Sequence, residues 1–208
     1  MLETYIIAFT TLFAVVGPLD VAAVYAAITV GNRPEDRKHM AYRGVAIALG
    51  ILLTFAFIGE LLLAKLGISL SALKIAGGIL LLLMAVDMVY ARSSSGNSTT
   101  DEEQTEASGK QDISVFPLAT PLLAGPGAMG ATILLMAKAS GDVSHQSMVI
   151  AAILSVMALS LILLLLAKNV QKIFGITGMH VISRIFGVLL CALAVQFMID
   201  GILQSGIV

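Results

Sequence analysis

The chain has 208 residues, 58% of them hydrophobic and 12% charged, with a formal net charge of −1 and a mean hydropathy of +0.99. Soluble domains carry about 25% charged residues, so this composition cannot cover a core against water, and the solvent it implies is a lipid bilayer. The near-neutral charge and the absence of a basic block exclude nucleic acid as a partner, and a single cysteine, Cys191, excludes an intrachain disulfide.

Met1-Leu2-Glu3 places an acid where a signal peptide needs Lys or Arg, so the first apolar run is expected to be a retained span. A helix crossing a ~30 Å hydrocarbon core takes about 20 residues. Six segments meet that length: Tyr5–Val30 with the one charge Asp20, Gly44–Ala64 with Glu60, Ser69–Ala91, Ile113–Ala137, Ser147–Ala167 and Val181–Leu203. Runs such as Ile79–Met84 are apolar at every position, which a membrane β-strand with its alternating faces would not be. Residues 92–112, reading RSSSGNSTTDEEQTEASGKQD, are too polar to offset the cost of ordering and are expected to form a flexible, acidic, cytoplasmic loop.

That loop divides the chain into residues 1–91 and 113–208, and the two parts repeat in order. Gly17-Pro18 matches Gly125-Pro126. Leu61–Lys65 matches Leu164–Lys168, Gly67-Ile68-Ser69 matches Gly175-Ile176-Thr177, and Lys74-Ile75-Ala76-Gly77 matches Arg184-Ile185-Phe186-Gly187. Three spans per copy make the second copy enter from the opposite side. The expected fold is therefore an all-α polytopic membrane protein of six transmembrane helices, arranged as two inverted three-helix repeats. Loops after the first, third and fifth spans hold nine Lys and Arg (Arg33, Arg37, Lys38, Arg43, Arg92, Lys110, Lys168, Lys172, Arg184) against Lys65, Lys74 and Lys138 opposite. The positive-inside rule then puts both termini outside the cytoplasm.

The first and fourth spans are interrupted near the midplane, at Val16–Asp20 and Thr120–Gly127. Proline removes a backbone donor and glycine weakens a helix, and backbone groups released in lipid must find protein partners or a polar cavity. Helices restarting at Pro18 and Pro126 would aim N–H groups into such a cavity, a seat for a carboxylate. The candidate binding residues are Gly17, Pro18, Leu19, Asp20, Thr120, Gly125, Pro126 and Gly127. A simple proline kink is the plain alternative at each. Asp20 is either a helix cap, a counter-charge to a substrate ammonium, or the group that takes a coupling proton. Gly125, Gly127, Ala128, Gly130 and Ala131 either pack helices closely or leave room for a small zwitterion, with Thr120 and Thr132 adding hydroxyls. Glu60, Asp87, Asp200, Lys74 and Arg184 lie near span ends and read as interfacial groups. His39, His145 and His180 are scattered, so no metal constellation, cofactor or enzyme chemistry is expected.

Pro117-Leu118-Ala119-Thr120-Pro121-Leu122 followed by Ala124-Gly125-Pro126-Gly127 is similar to the second-half signature of the MarC family of bacterial and archaeal membrane proteins. Gly17–Asp20 falls where that family's first proline motif lies, and Ala194–Ile202 resembles its last span. The first motif departs from the family pattern of Asp/Asn-Pro, Gly-Asn and a second Pro: Gly17-Pro18 is followed by Leu19-Asp20-Val21-Ala22-Ala23. The resemblance implies a six-span inner-membrane protein and transport of small neutral amino acids such as glycine and alanine. The family's older association with multiple antibiotic resistance implies no drug-export mechanism. The reading taken forward is a cation-coupled secondary transporter working by alternating access, with a small neutral amino acid, a proton or sodium ion and the bilayer as partners, and with homo-oligomerisation open. An ion channel or a non-transporting membrane scaffold is the alternative.

Overall fold

The structure, a computed structural model, describes residues 1–29, 31–90 and 112–206, and gives backbone alone at 168–177, 179, 180, 182 and 183. The acidic segment expected over 92–112 lies outside the described residues except for Asp112. Every regular element described is helical. In chain order these are α1 (Leu2–Val16), α2 (Pro18–Ile28), α3 (Pro34–Lys65), α4 (Leu70–Tyr90), a wide-wound segment (Ser114–Leu123), α5 (Pro126–Lys138), α6 (Val143–Leu165) and α7 (Ala167–Ser205). Five stretches are long and apolar enough to cross a membrane: Leu2–Ile28, Pro34–Lys65, Leu70–Tyr90, Val143–Leu165 and Arg184–Ser205. Ser114–Leu123 and Pro126–Lys138, bent by 54° at their junction, pass the same test only as a pair, giving five or six candidate spans among the described residues. The chain is a multi-pass integral membrane protein.

Two boundaries differ from the hydropathy reading. Helix α3 begins at Pro34, ten residues before the expected span. Pro34 occupies the first helical position, where its missing N–H costs nothing, and Glu35 and Asp36 complement the helix dipole. At ~1.5 Å per residue its 32 residues reach about 48 Å, so the first turns extend beyond a ~30 Å core. At that end Arg43 donates to Asp112 at 2.5 Å. Residues 168–180, expected as a connection, are instead the first turns of the continuous α7. The break that separates α6 from α7 is Leu166 alone. Hydropathy locates only the apolar part of a helix, and the polar turns that extend it obey capping and propensity instead.

Lipid gives helices no hydrophobic reason to associate, so close packing at small residues does that work. Helix α4 lies along α7 over most of its length. Gly78 sits against Ala194 and Met198, Gly187 against Ala85 and Met88, and Gly201 against Ser71 and Ile75. A Cβ built on any of the three would stand within about 3 Å of the facing helix, so larger residues would force the pair apart. The order of these contacts makes the two helices antiparallel.

The remaining packing runs between the two halves of the chain. Helices α1 and α2 lie on α6 and α7, α3 lies on the wide-wound segment, α5 and α6, and α4 lies on α5. Helix α1 also touches α5. Helices within one half meet far less, and this interleaving carries both broken spans into the buried centre.

Candidate functional site

The first break is a single residue. Gly17 adopts φ 57° and ψ 56°, closing α1 through a hydrogen bond from its N–H to the Phe13 carbonyl, and it also precedes the first residue of α2. A left-handed conformation costs an L-residue about 1–2 kcal/mol, which is why glycine stands here. Pro18 takes the first helical position of α2, and the Val21 N–H bonds back to the Gly17 carbonyl at 3.0 Å. The Leu19 N–H therefore lies in the first turn of a new helix, where the intrahelical ladder has not yet begun. The Asp20 carboxylate folds back over the break, its Oδ2 3.4 Å from where a Cβ on Gly17 would stand. That posture suits a carboxylate at a positive helix end and also leaves Asp20 only half-buried, on the wall of a recess.

The second break is built differently. The Leu118 N–H reaches the Ile113 carbonyl at 3.1 Å and the Ala124 N–H reaches the Ala119 carbonyl at 2.8 Å. Each bond spans five residues, one more than an α-helical turn. Phe116 (φ −129°, ψ 126°) and Thr120 (φ −132°, ψ 130°) are extended, and each precedes a proline joined by a cis peptide bond, Pro117 and Pro121. A residue before proline is driven out of the helical region. Gly125 is extended, and Pro126 opens α5 as Pro18 opens α2. The Met129 N–H bonds to the Gly125 carbonyl, which leaves Gly127 and Ala128 as the helix-initial donors.

The breaks meet. A Cβ on Gly127 would stand 3.4 Å from Val15 Cγ1, two residues before Gly17, and 2.2 Å from the sulfur of Met84 on α4. Gly125 and Gly127 are buried, whereas Pro126 is exposed. Gly127 thus presses against a thioether and not an open space. Thr120 is half-buried, and its hydroxyl lies 3.4 Å from the Val115 carbonyl within its own segment. An open recess lies by the first break, lined by Phe13, Ala14, Gly17, Pro18, Leu19, Asp20, Met88 and Phe186. The structure brings Gly17–Asp20 to this recess and packs Gly127 against Met84 and Val15, while Pro126 is exposed and the Thr120 hydroxyl turns to its own segment.

Sequence reasoning missed Met84, Met88, Phe13 and Phe186. Met84 and Met88 are four apart, hence on one face of α4, and that spacing was the available signal. Met84 covers the second break and Met88 the recess. Phe13 and Phe186 meet with ring centroids 4.7 Å apart, ending a ladder that runs from Tyr5 through Phe9. No combination of residues that could hold a metal ion occurs among the described residues.

Polar groups also mark both ends of the bundle. The Ser140 hydroxyl donates to Glu60 at 3.0 Å, Lys74 donates to Gln204 at 2.6 Å, and Lys138 approaches Asp200 at 3.7 Å. At the other end Ser114 donates both its hydroxyl and its N–H to Asp112, and these bonds hold that carboxyl below the ordinary carboxylate range. The interfacial placement expected of Glu60, Lys74 and Asp200 agrees with these contacts.

Residues 2–205 match the family model described as MarC family integral membrane protein. A UPF0056 membrane protein of Methanocaldococcus jannaschii is 40% identical over 97% of both chains. The UPF0056 membrane protein YvbG of Bacillus subtilis is 32% identical, covering 93% of this chain and 92% of its own. A UPF0056 membrane protein of Archaeoglobus fulgidus is also 32% identical, covering 98% of this chain and 94% of its own. No solved structure matches the chain. A match over nearly the whole length, with both broken spans inside it, places the chain in the MarC family of integral membrane proteins.

Proposed function

We propose that this protein is a secondary transporter of small neutral amino acids, coupled to a proton or sodium gradient. It would work by alternating access of two inverted three-helix repeats in the cell inner membrane. The observation that carries the reading is the pairing of the breaks. Each span that opens a half is interrupted midway, each restarts on a proline, and the two interruptions abut in the buried centre. Interrupted helices at a repeat interface are the usual seat of substrate and ion in secondary transporters.

The packing supports the inverted repeat. Exchanging the first, second and third spans for the fourth, fifth and sixth turns every inter-half contact into another that is present. First-on-fifth becomes fourth-on-second, and first-on-sixth becomes fourth-on-third. First-on-fourth, second-on-fifth and third-on-sixth map onto themselves. The recess supports a site at the first break, since a carboxylate, Asp20, and a glycine-proline helix start, Gly17-Pro18, line it together. In it the N–H groups around Gly17–Leu19 would receive the carboxylate, and the Asp20 side chain would face the ammonium or the coupling ion. Gly17 and Pro18 shape that half of the site, and Gly125, Pro126 and Gly127 position its back wall.

The test is counterflow and uptake of labelled glycine and alanine in proteoliposomes under imposed proton or sodium gradients. Saturable uptake driven by one gradient is expected. Solute flux that neither saturates nor competes would favour a pore, and no flux under either gradient would remove the transporter reading.

A further inference from the structure

We propose that Thr11 and Thr132 line the terminus-side half of the transport path, shut in this structure and opened in the alternate state; this rests on the alternating-access reading above. Five polar residues are fully buried among the described residues: Thr11, Thr29, Ser114, Thr132 and Ser160. Thr29 and Ser160 donate to the carbonyl four residues earlier, at 2.6 and 2.7 Å, and Ser114 donates to Asp112. Half-buried or exposed hydroxyls elsewhere in the bundle, those of Thr10, Thr54 and Ser155, do likewise. The hydroxyls of Thr11 and Thr132 alone among these five have no protein partner. A buried hydroxyl without a hydrogen bond is a standing cost that the usual back-bond would remove.

The two threonines share a level along the bundle. Thr11 lies four residues before Val15 and Thr132 five after Gly127, and Val15 and Gly127 are the residues at which the breaks touch. Helices α1 and α5 belong to the first and fourth crossings, which run in opposite directions. Both threonines therefore stand about 6–8 Å from the break contact at ~1.5 Å per residue, on the same side of it. That side is the end holding the N-terminus of α1. The recess walled by Asp20, Met88 and Phe186 lies toward the opposite end.

Beyond the threonines that end is closed. Lys138 follows Thr132 by six residues, about 9 Å, and approaches Asp200 on α7. The Ser140–Glu60 and Lys74–Gln204 hydrogen bonds tie α3 and α4 to the second half at the same level. One face of the break contact thus holds an open recess. The other holds two buried hydroxyls without a protein partner, beneath a set of polar contacts. A state that opens the sealed end would bring both hydroxyls to water or to the polar end of a substrate.

Single cysteines at positions 11 and 132, in a Cys191→Ser background, test this in proteoliposomes with a membrane-impermeant thiosulfonate as the probe. An alternate state populated at ~0.1–10% would label them about ten- to a thousand-fold more slowly than an exposed cysteine replacing Val143. A buried control replacing Ala152 should stay unlabelled. Labelling at the control's rate from both sides overturns the proposal. Thr11→Val and Thr132→Val keep the shape and remove the hydroxyl, so thermal stability should rise while exchange of solute slows by about ten-fold or more. Thr→Ser at either site should restore the rate. A fall in melting temperature with valine would mean that the hydroxyls are already satisfied, and would also overturn it. Labelling needs no transported solute, so a reactive pair in a protein that moves no amino acid would keep this path and discard the substrate.

Discussion

Gly127 is where the packing makes its most exact demand. A methyl added there would stand 2.2 Å from Met84 Sδ and 3.0 Å from its Cε, against the ~3.5–4.0 Å of a comfortable contact between carbon atoms. The thioether must retreat by about 1.5 Å, and overpacking of that kind costs about 1–3 kcal/mol. Alanine recovers up to ~1 kcal/mol of helix propensity, so Gly127→Ala should destabilise by about 0–2 kcal/mol. Met84→Ala alone empties a buried site and should cost about 2–5 kcal/mol. Together the two changes remove the clash and return a methyl to the vacated space. The double variant should therefore be more stable than the sum of the singles by about 1–3 kcal/mol, within the range of directly coupled neighbours. Unfolding of the wild type and three variants in one detergent measures this cycle. Additivity within ~0.5 kcal/mol would refute the reasoning, because it would place the new methyl in free space and return Gly127 to the wall of an open cavity.

Asp20→Asn removes the charge at the first break with little change in volume. Gradient-driven accumulation should fall more than solute exchange if Asp20 carries the coupling proton, and both should fall equally if it faces the ammonium. Unchanged accumulation would leave it a helix cap. At the head of α6, Asp142 accepts from the N–H groups of Ser144 and His145, bonds that hold its carboxyl below the ordinary range. The capped helix end is thus fully stabilised above the ordinary carboxylate pKa of about 3.9, and that contribution is lost as pH falls through the depressed native value. Asp142→Asn should keep the cap and flatten that part of the melting curve against pH, and an unaltered slope would assign the acid sensitivity elsewhere. The nine-to-three excess of Lys and Arg predicts an active C-terminal alkaline phosphatase fusion and a dark C-terminal fluorescent fusion, and the reverse pattern would overturn the orientation.

The sequence by itself determined the solvent, the apolar spans and both breaks, because each follows from local chemistry. An apolar run of about 20 residues has no stable place but lipid. Gly17-Pro18 and Gly125-Pro126 cannot continue a helix but can start one, and Pro18 and Pro126 stand at the first positions of α2 and α5 as their chemistry requires. The extended residues Phe116 and Thr120 were legible in the same way, each lying before a proline. Only the tertiary structure decided what each break faces. Gly17 and Gly127 look alike as small residues beside a proline, yet one borders a recess and the other is pinned under Met84. That difference is set by α4, which lies dozens of residues away from both in the chain. The same holds for Thr11 and Thr132, which are 121 positions apart and share a level only because the first and fourth crossings pack in opposite directions. Composition and spacing fix which groups a helix must leave unsatisfied, and the packing of one half on the other decides which of them find a partner.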